Sequence, residues 1–145
     1  MFRMNKQKFI KVVAMVTILS VIGNVILAVL GRVVSDTPDT FGPYMYGPVI
    51  GLTVAGIFAA AVVYYVMRLK YADAVKANKH FLIISWAVLV LSMVPDILIP
   101  WIPEADMVGW TYVVIANLML MHVVAGGLVM YYLTRKELLP LQANQ

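Results

Sequence analysis

Apolar residues in this chain come in long unbroken runs rather than in alternation. The runs extend from about Val12 to Leu30, Val49 to Met67, Phe81 to Trp101 and Trp110 to Leu133. Each has roughly the 20 residues that a helix rising about 1.5 Å per residue needs to cross about 30 Å of hydrocarbon. A backbone without water at that depth must satisfy its own N–H and C=O groups, which a helix does. The many valines do not argue for strands, because the runs lack a two-residue period and are too long. The pattern predicts an all-α membrane protein: an antiparallel bundle of four transmembrane helices in a single domain over residues 1–145.

The polar punctuation between the runs sets an orientation. Arg3, Lys6, Lys8 and Lys11 precede the first helix, Arg68, Lys70, Lys76 and Lys79 join the second to the third, and Arg135 and Lys136 follow the fourth. Every Lys and Arg except Arg32 therefore falls on one side, opposite Asp36, Asp39, Glu104 and Asp106. By the positive-inside rule both termini are expected in the cytoplasm, with Tyr44, Tyr46, Trp101, Trp110 and Tyr112 at the outer interface. The basic start resembles a signal peptide. Its apolar run, however, exceeds the roughly 7 to 15 residues of a signal core, and no small-x-small cleavage pattern follows. A retained first helix is the better reading.

Composition agrees. Hydrophobic residues make up 63% and charged residues 12%, against about 25% charged in soluble domains. A soluble chain of this length has too little interior for so much apolar surface. With no cysteine there is no disulfide, thiolate nucleophile or cysteine metal site. The net charge of +4 is explained by topology, so no nucleic-acid partner is expected.

Small and polar residues mark the sides on which membrane helices meet. Thr17, Ser20, Asn24, Ala28 and Gly31 form one stripe on the first helix. Gly47, Gly51, Ala55 and Ala59 form a ladder on the second, expected to pack within the bundle, with a homodimer contact as the alternative. The loop "SDTPDTFGPYMYGP" reads either as an aromatic-anchored interfacial loop or as a partial lid over the helix ends.

Five polar side chains carry the candidate chemistry. Counting helical rise from the outer boundary puts Asp96 about 8 Å deep, Asn24 and Asn117 about 10 Å, Ser92 about 14 Å and His122 about 18 Å. They suggest an outward-facing polar pocket or a hydrogen-bonded plug. Asp96, next to Pro95 in "LSMVPDILIPW", has three readings: an early helix end near Val94, a buried carboxylate held by Asn24, Asn117 or Arg32, or a carboxylate that binds a cation, a proton or a ligand. His122 reads as a neutral ring donating to a carbonyl or hydroxyl, or as a partner of Asp96 through water or Ser92. His80 lies about 18 Å or more away at the other membrane face, so neither a metal site nor bis-histidine haem ligation is expected, and no cofactor.

The segments "VIGNVILAVLGR" and "LMLMHVVAGGLVMYYLTR" resemble an uncharacterised family of small bacterial four-helix integral membrane proteins, a domain of unknown function. That family's first-helix Asn corresponds to Asn24, its Met-His-x-x-Ala block to Met121, His122 and Ala125, and its following Arg to Arg135. Leu91 to Pro95 resembles its third-helix Ser-Leu-x-x-Pro pattern. The resemblance implies a four-helix fold in the bacterial inner membrane and no particular activity. The role of Asp96 is argued from the residues alone.

Function is then expected to be non-enzymatic: a bundle that binds a small amphipathic or lipid-like ligand at Asn24, Ser92, Asp96, Asn117 and His122. An intramembrane acid–base enzyme (isomerase, cyclase or hydrolase) using Asp96 and His122 is the alternative. A proton- or cation-coupled transporter or an accessory subunit comes third.

Overall fold

The computed structural model describes residues 5–71, 73–102 and 108–135. All regular structure among them is helical, and four spans are long and apolar enough to cross a membrane, as in a multi-pass membrane protein. Helix α1 covers Lys6–Ser35, α2 Tyr46–Lys70, α3 Ala74–Ser92, α4 Val94–Leu98 and α5 Tyr112–Leu133. Single 3-10 turns occupy Gly42–Tyr44 and Ile99–Trp101. The third span, Ala74–Trp101, is thus composite.

Polar caps set where three of the helices begin: α1 and α3 start ahead of their apolar runs, and α5 starts inside its run. Asn5 accepts from the Lys8 N–H at 3.1 Å, Asp73 from Val75 at 2.8 Å and Thr111 from Val114 at 3.2 Å. Each satisfies a donor that the first helical turn leaves unpaired. The 30 residues of α1 rise about 45 Å, so its charged turns reach beyond the hydrocarbon. It ends at Asp36, whose left-handed φ of 51° turns the chain into the next loop.

Helix α1 is the hub, packing chiefly against α5 and α2. Its buried stripe is Val16, Ser20, Asn24, Ala28 and Gly31, the expected one with Val16 in place of the half-buried Thr17. Ile18, Ile22, Ile26, Val29 and Val33 face outward, as lipid contact requires. Two apolar clusters fill opposite ends. One gathers Ala28, Phe41, Tyr44, Val49, Ile99, Val114, Leu118 and Met121. The other gathers Val16, Ile57, Tyr64, Phe81, Val129 and Leu133.

The second helix corrects the sequence reading. Gly47, Gly51, Ala55 and Ala59 are all exposed, and a Cβ on Gly47 or Gly51 would meet nothing within 4 Å. The face that packs is Val49, Thr53, Ile57, Ala61 and Tyr64. It offers both aromatic area to fill the bundle end and a hydroxyl for Asn24, which the small ladder cannot. Close packing of small residues occurs instead at Gly31, where a Cβ would lie 2.3 Å from Asn117 Nδ2 and 2.5 Å from the Tyr44 hydroxyl.

Candidate functional site

The aromatic loop between α1 and α2 closes one end of the molecule. Phe41 and Tyr44 are fully buried and meet edge to face at 5.3 Å, so the loop folds in over the helix ends. Arg32 secures it, donating to the Tyr44 carbonyl at 2.8 Å and pairing with Asp39 at 3.0 Å. Asn117 of α5 uses both amide protons here, one on the Leu27 carbonyl at 3.0 Å and one on the Tyr44 hydroxyl at 2.9 Å. That hydroxyl in turn donates to the Val114 carbonyl at 3.5 Å. Burial pushes the Tyr44 phenol above its ordinary value; the Asn117 hydrogen bond opposes the shift and the negative charge of Asp96 adds to it.

Asp96 sits in this end because the third span breaks. Helix α3 stops at Ser92, Met93 bends at ψ −14°, and α4 restarts with Pro95 in its first turn, where a missing N–H is tolerated. A break does fall close to Val94, but the segment re-forms as a helical turn and does not leave Asp96 facing water, as that reading required. Asp96 is 8% exposed, and none of Asn24, Asn117 or Arg32 holds it. Its partner is His122: Asp96 Oδ2 lies 3.2 Å from His122 Nδ1. The difference in depth counted along straight helices disappears because the α3–α4 break invalidates a single count.

The ring has one further contact, from Nδ1 to the Leu118 carbonyl at 3.0 Å. A carbonyl can only accept, so Nδ1 carries the proton and is the donor. The N–H aligns with the carbonyl, leaving Asp96 Oδ2 in electrostatic contact but without a well-formed hydrogen bond. Both neighbours of Nδ1 are acceptors, so when the ring is neutral Nε2 is its basic nitrogen. The pair thus combines an imidazole held by the Leu118 carbonyl with a neighbouring buried carboxylate oxygen that has acceptor capacity to spare. The His122 side chain is 37% exposed and that of Asp96 12%, so a ligand reaches the ring first.

The other expected site residues are engaged separately. Asn24 donates to Thr53 Oγ1 at 2.9 Å between α1 and α2, its own carbonyl oxygen buried and unpartnered. Ser92 bonds its own helix, at the Leu89 carbonyl, and makes no bridge from Asp96 to His122. The five residues are thus divided among the Asn24–Thr53 contact, the Asn117–Tyr44 contact, the Asp96–His122 pair and the self-bonded Ser92. Among the described residues, no group of three His, Cys, Asp or Glu could hold a metal ion. Arg3, Glu104, Asp106 and Lys136, which entered the sequence reading, lie outside the described residues.

Two polar contributors escaped the sequence reading. Thr53, the one threonine on an apolar helix, carried a signal only through its four-residue spacing from Val49 and Ile57. Asn78 links Tyr64 to Thr134 at the opposite end, accepting at 3.0 Å and donating at 3.0 Å. Next to Lys76 and Lys79 it looks like one more polar surface residue. Comparison with protein-family models, curated proteins and solved structures returns no match.

Proposed function

We propose that this chain is a non-enzymatic, multi-pass protein of the bacterial cytoplasmic membrane whose Asp96–His122 pair binds the polar group of a small amphipathic or lipid-like ligand. The observation that carries this reading is the 3.2 Å contact of a buried carboxylate with an imidazole inside the membrane spans. Ionisable groups at such depth are expensive, and a bundle needing only adhesion has lower-energy choices. A ligand hydroxyl can donate its one proton to Nε2; Asp96 Oδ2, buried beside Nδ1, is a separate acceptor. The likeness to small bacterial four-helix membrane proteins, with Asn24, His122 and Arg135 at matching positions, belongs to the same reading.

The reading includes an antiparallel bundle with both termini in the cytoplasm. Its support is the basic bias of one face and the pairing of α1 with α5. Gly31, near the end of α1, approaches Asn117 near the start of α5, while Val16 shares a cluster with Val129 and Leu133. In this orientation the ligand enters from the outer half.

The test is mass spectrometry of small molecules extracted from detergent-purified protein. An amphiphile enriched with wild type and lost from His122→Ala is the expected result. Equal traces from wild type and variant would contradict it. The carboxylate-backed imidazole also favours a second reading, acid–base catalysis on a hydrophobic substrate, because Nε2 is positioned to take a proton. Conversion of the enriched amphiphile by wild type, abolished in both His122→Ala and Asp96→Asn, would select that reading over simple binding.

A further inference from the structure

A second feature lies away from the Asp96–His122 pair, in the seam between α3 and α5. A groove of about 330 Å³ runs between Leu82, Trp86 and Leu89 on one side and Val123, Gly127 and Met130 on the other. Its lining residues are apolar except at one end, where Tyr131 and Thr134 stand. Two features of the sequence keep the seam unfilled. The third span is the least buried of the four, and at Gly127 a Cβ would meet nothing within 4 Å. One residue earlier the helices do touch, since a Cβ on Gly126 would lie 3.1 Å from Leu89.

We propose that this groove holds one acyl chain of an anionic phospholipid, with the phosphate at the Arg135 end. Length supports the chain. From Val123 to Thr134 the groove is about 16 Å long by helical rise, close to half of the roughly 30 Å hydrocarbon thickness, which is the reach of one leaflet. Charge supports the headgroup. Arg135 follows Thr134 directly, its guanidinium 4.4 Å from the centre of the Tyr131 ring and hydrogen-bonded to the Tyr131 hydroxyl. Across the seam, the exposed Lys79 stands one turn from Leu82 on the same face of α3. Asp73, the acidic residue of the α2–α3 connection, accepts from the Val75 N–H at the start of α3. An amphiphile in the opposite sense would place its charged group at mid-membrane, so the basic end fixes the direction of the chain. This site is independent of the Asp96–His122 reading.

Trp86 reports on the groove. In a Trp101→Phe, Trp110→Phe background, the protein is reconstituted in phosphatidylcholine vesicles containing a minor fraction of chain-brominated lipid. Brominated phosphatidylglycerol is expected to quench Trp86 at a several-fold lower mole fraction than brominated phosphatidylcholine. Gly127→Leu, which fills the groove, should bring quenching by both lipids down to one common weak level. Arg135→Gln lies outside the spans and serves if Gly127→Leu does not fold; it should erase the difference between headgroups while quenching persists. Equal quenching by the two lipids in the parent protein, or quenching unchanged by Gly127→Leu, overturns the proposal. So does displacement of the brominated lipid by millimolar inorganic phosphate, which would make the basic end a site for free phosphate.

Discussion

Each end of the molecule is closed around a buried tyrosine that meets an asparagine, and the two ends use the pair differently. At one end Tyr64 donates to Asn78, which donates to the Thr134 carbonyl, tying α2, α3 and the end of α5 together. Every described partner there has a structural task, and the ring packs edge to face on Phe81 at 5.0 Å. At the other end Asn117 and Tyr44 perform the same service for α1, α5 and the first loop. That end also contains Asp96 and His122, whose removal would not unfasten any helix from its neighbour by a hydrogen bond, because the ring's aligned bond is to its own helix. The first arrangement is adhesive. The second is adhesive with an added pair that adhesion does not explain.

The comparison can be broken most forcefully at the tyrosines. Replacing either fully buried ring by alanine should destabilise by about 3–5 kcal/mol, measured by unfolding in a single detergent. If only one of Tyr44→Ala and Tyr64→Ala does so, the two ends are not equivalent closures. Gly31→Val comes next, at about 1–3 kcal/mol, because its side chain would collide with Asn117 and Tyr44. Gly51→Val is its control and should stay within about 0.5 kcal/mol, since nothing lies within 4 Å. A comparable loss at Gly51 would mean that the outward ladder is covered after all. Asn78→Ala should lose about 1–3 kcal/mol by leaving the Tyr64 hydroxyl and the Thr134 carbonyl without their partner.

The smallest expected effect is one of pH. The Tyr44 phenol titrates above its ordinary 10, chiefly through burial, so the folded state favours the protonated form. Its contribution is fully present below pH 10 and fades as pH rises through the raised value. Alkaline unfolding profiles of wild type and Tyr44→Phe should therefore differ in slope only above pH 10, the wild type falling more steeply there. Parallel profiles would show that the phenol is not titrating from a buried state.

The spans were legible in the sequence because lipid imposes length and hydropathy on every crossing helix, whatever its neighbours. Their ends were less so: Asn5 and Thr111 extend α1 and shift the start of α5 through capping bonds that hydropathy does not register. The Ser20–Asn24–Gly31 stripe was readable because small and polar residues coincided on one face. The Gly47–Ala59 ladder misled for the same reason, since small size permits contact without specifying a partner. Pro95 announced the break in the third span. The meeting of Asp96 with His122 could not be read, because it depends on how α4, restarting after that break, packs against α5.

The central claim is that the Asp96–His122 pair is retained for something other than stability. The most direct measurement compares the unfolding of wild type, Asp96→Asn and Asn78→Ala in one detergent. Asparagine at position 96 removes a buried carboxylate and leaves His122 on its Leu118 carbonyl. The variant is therefore expected to match wild type within about 1 kcal/mol or exceed it, while Asn78→Ala falls below both. A loss at Asp96→Asn as large as that of Asn78→Ala would make the carboxylate one more fastening of the bundle, and the claim would be wrong.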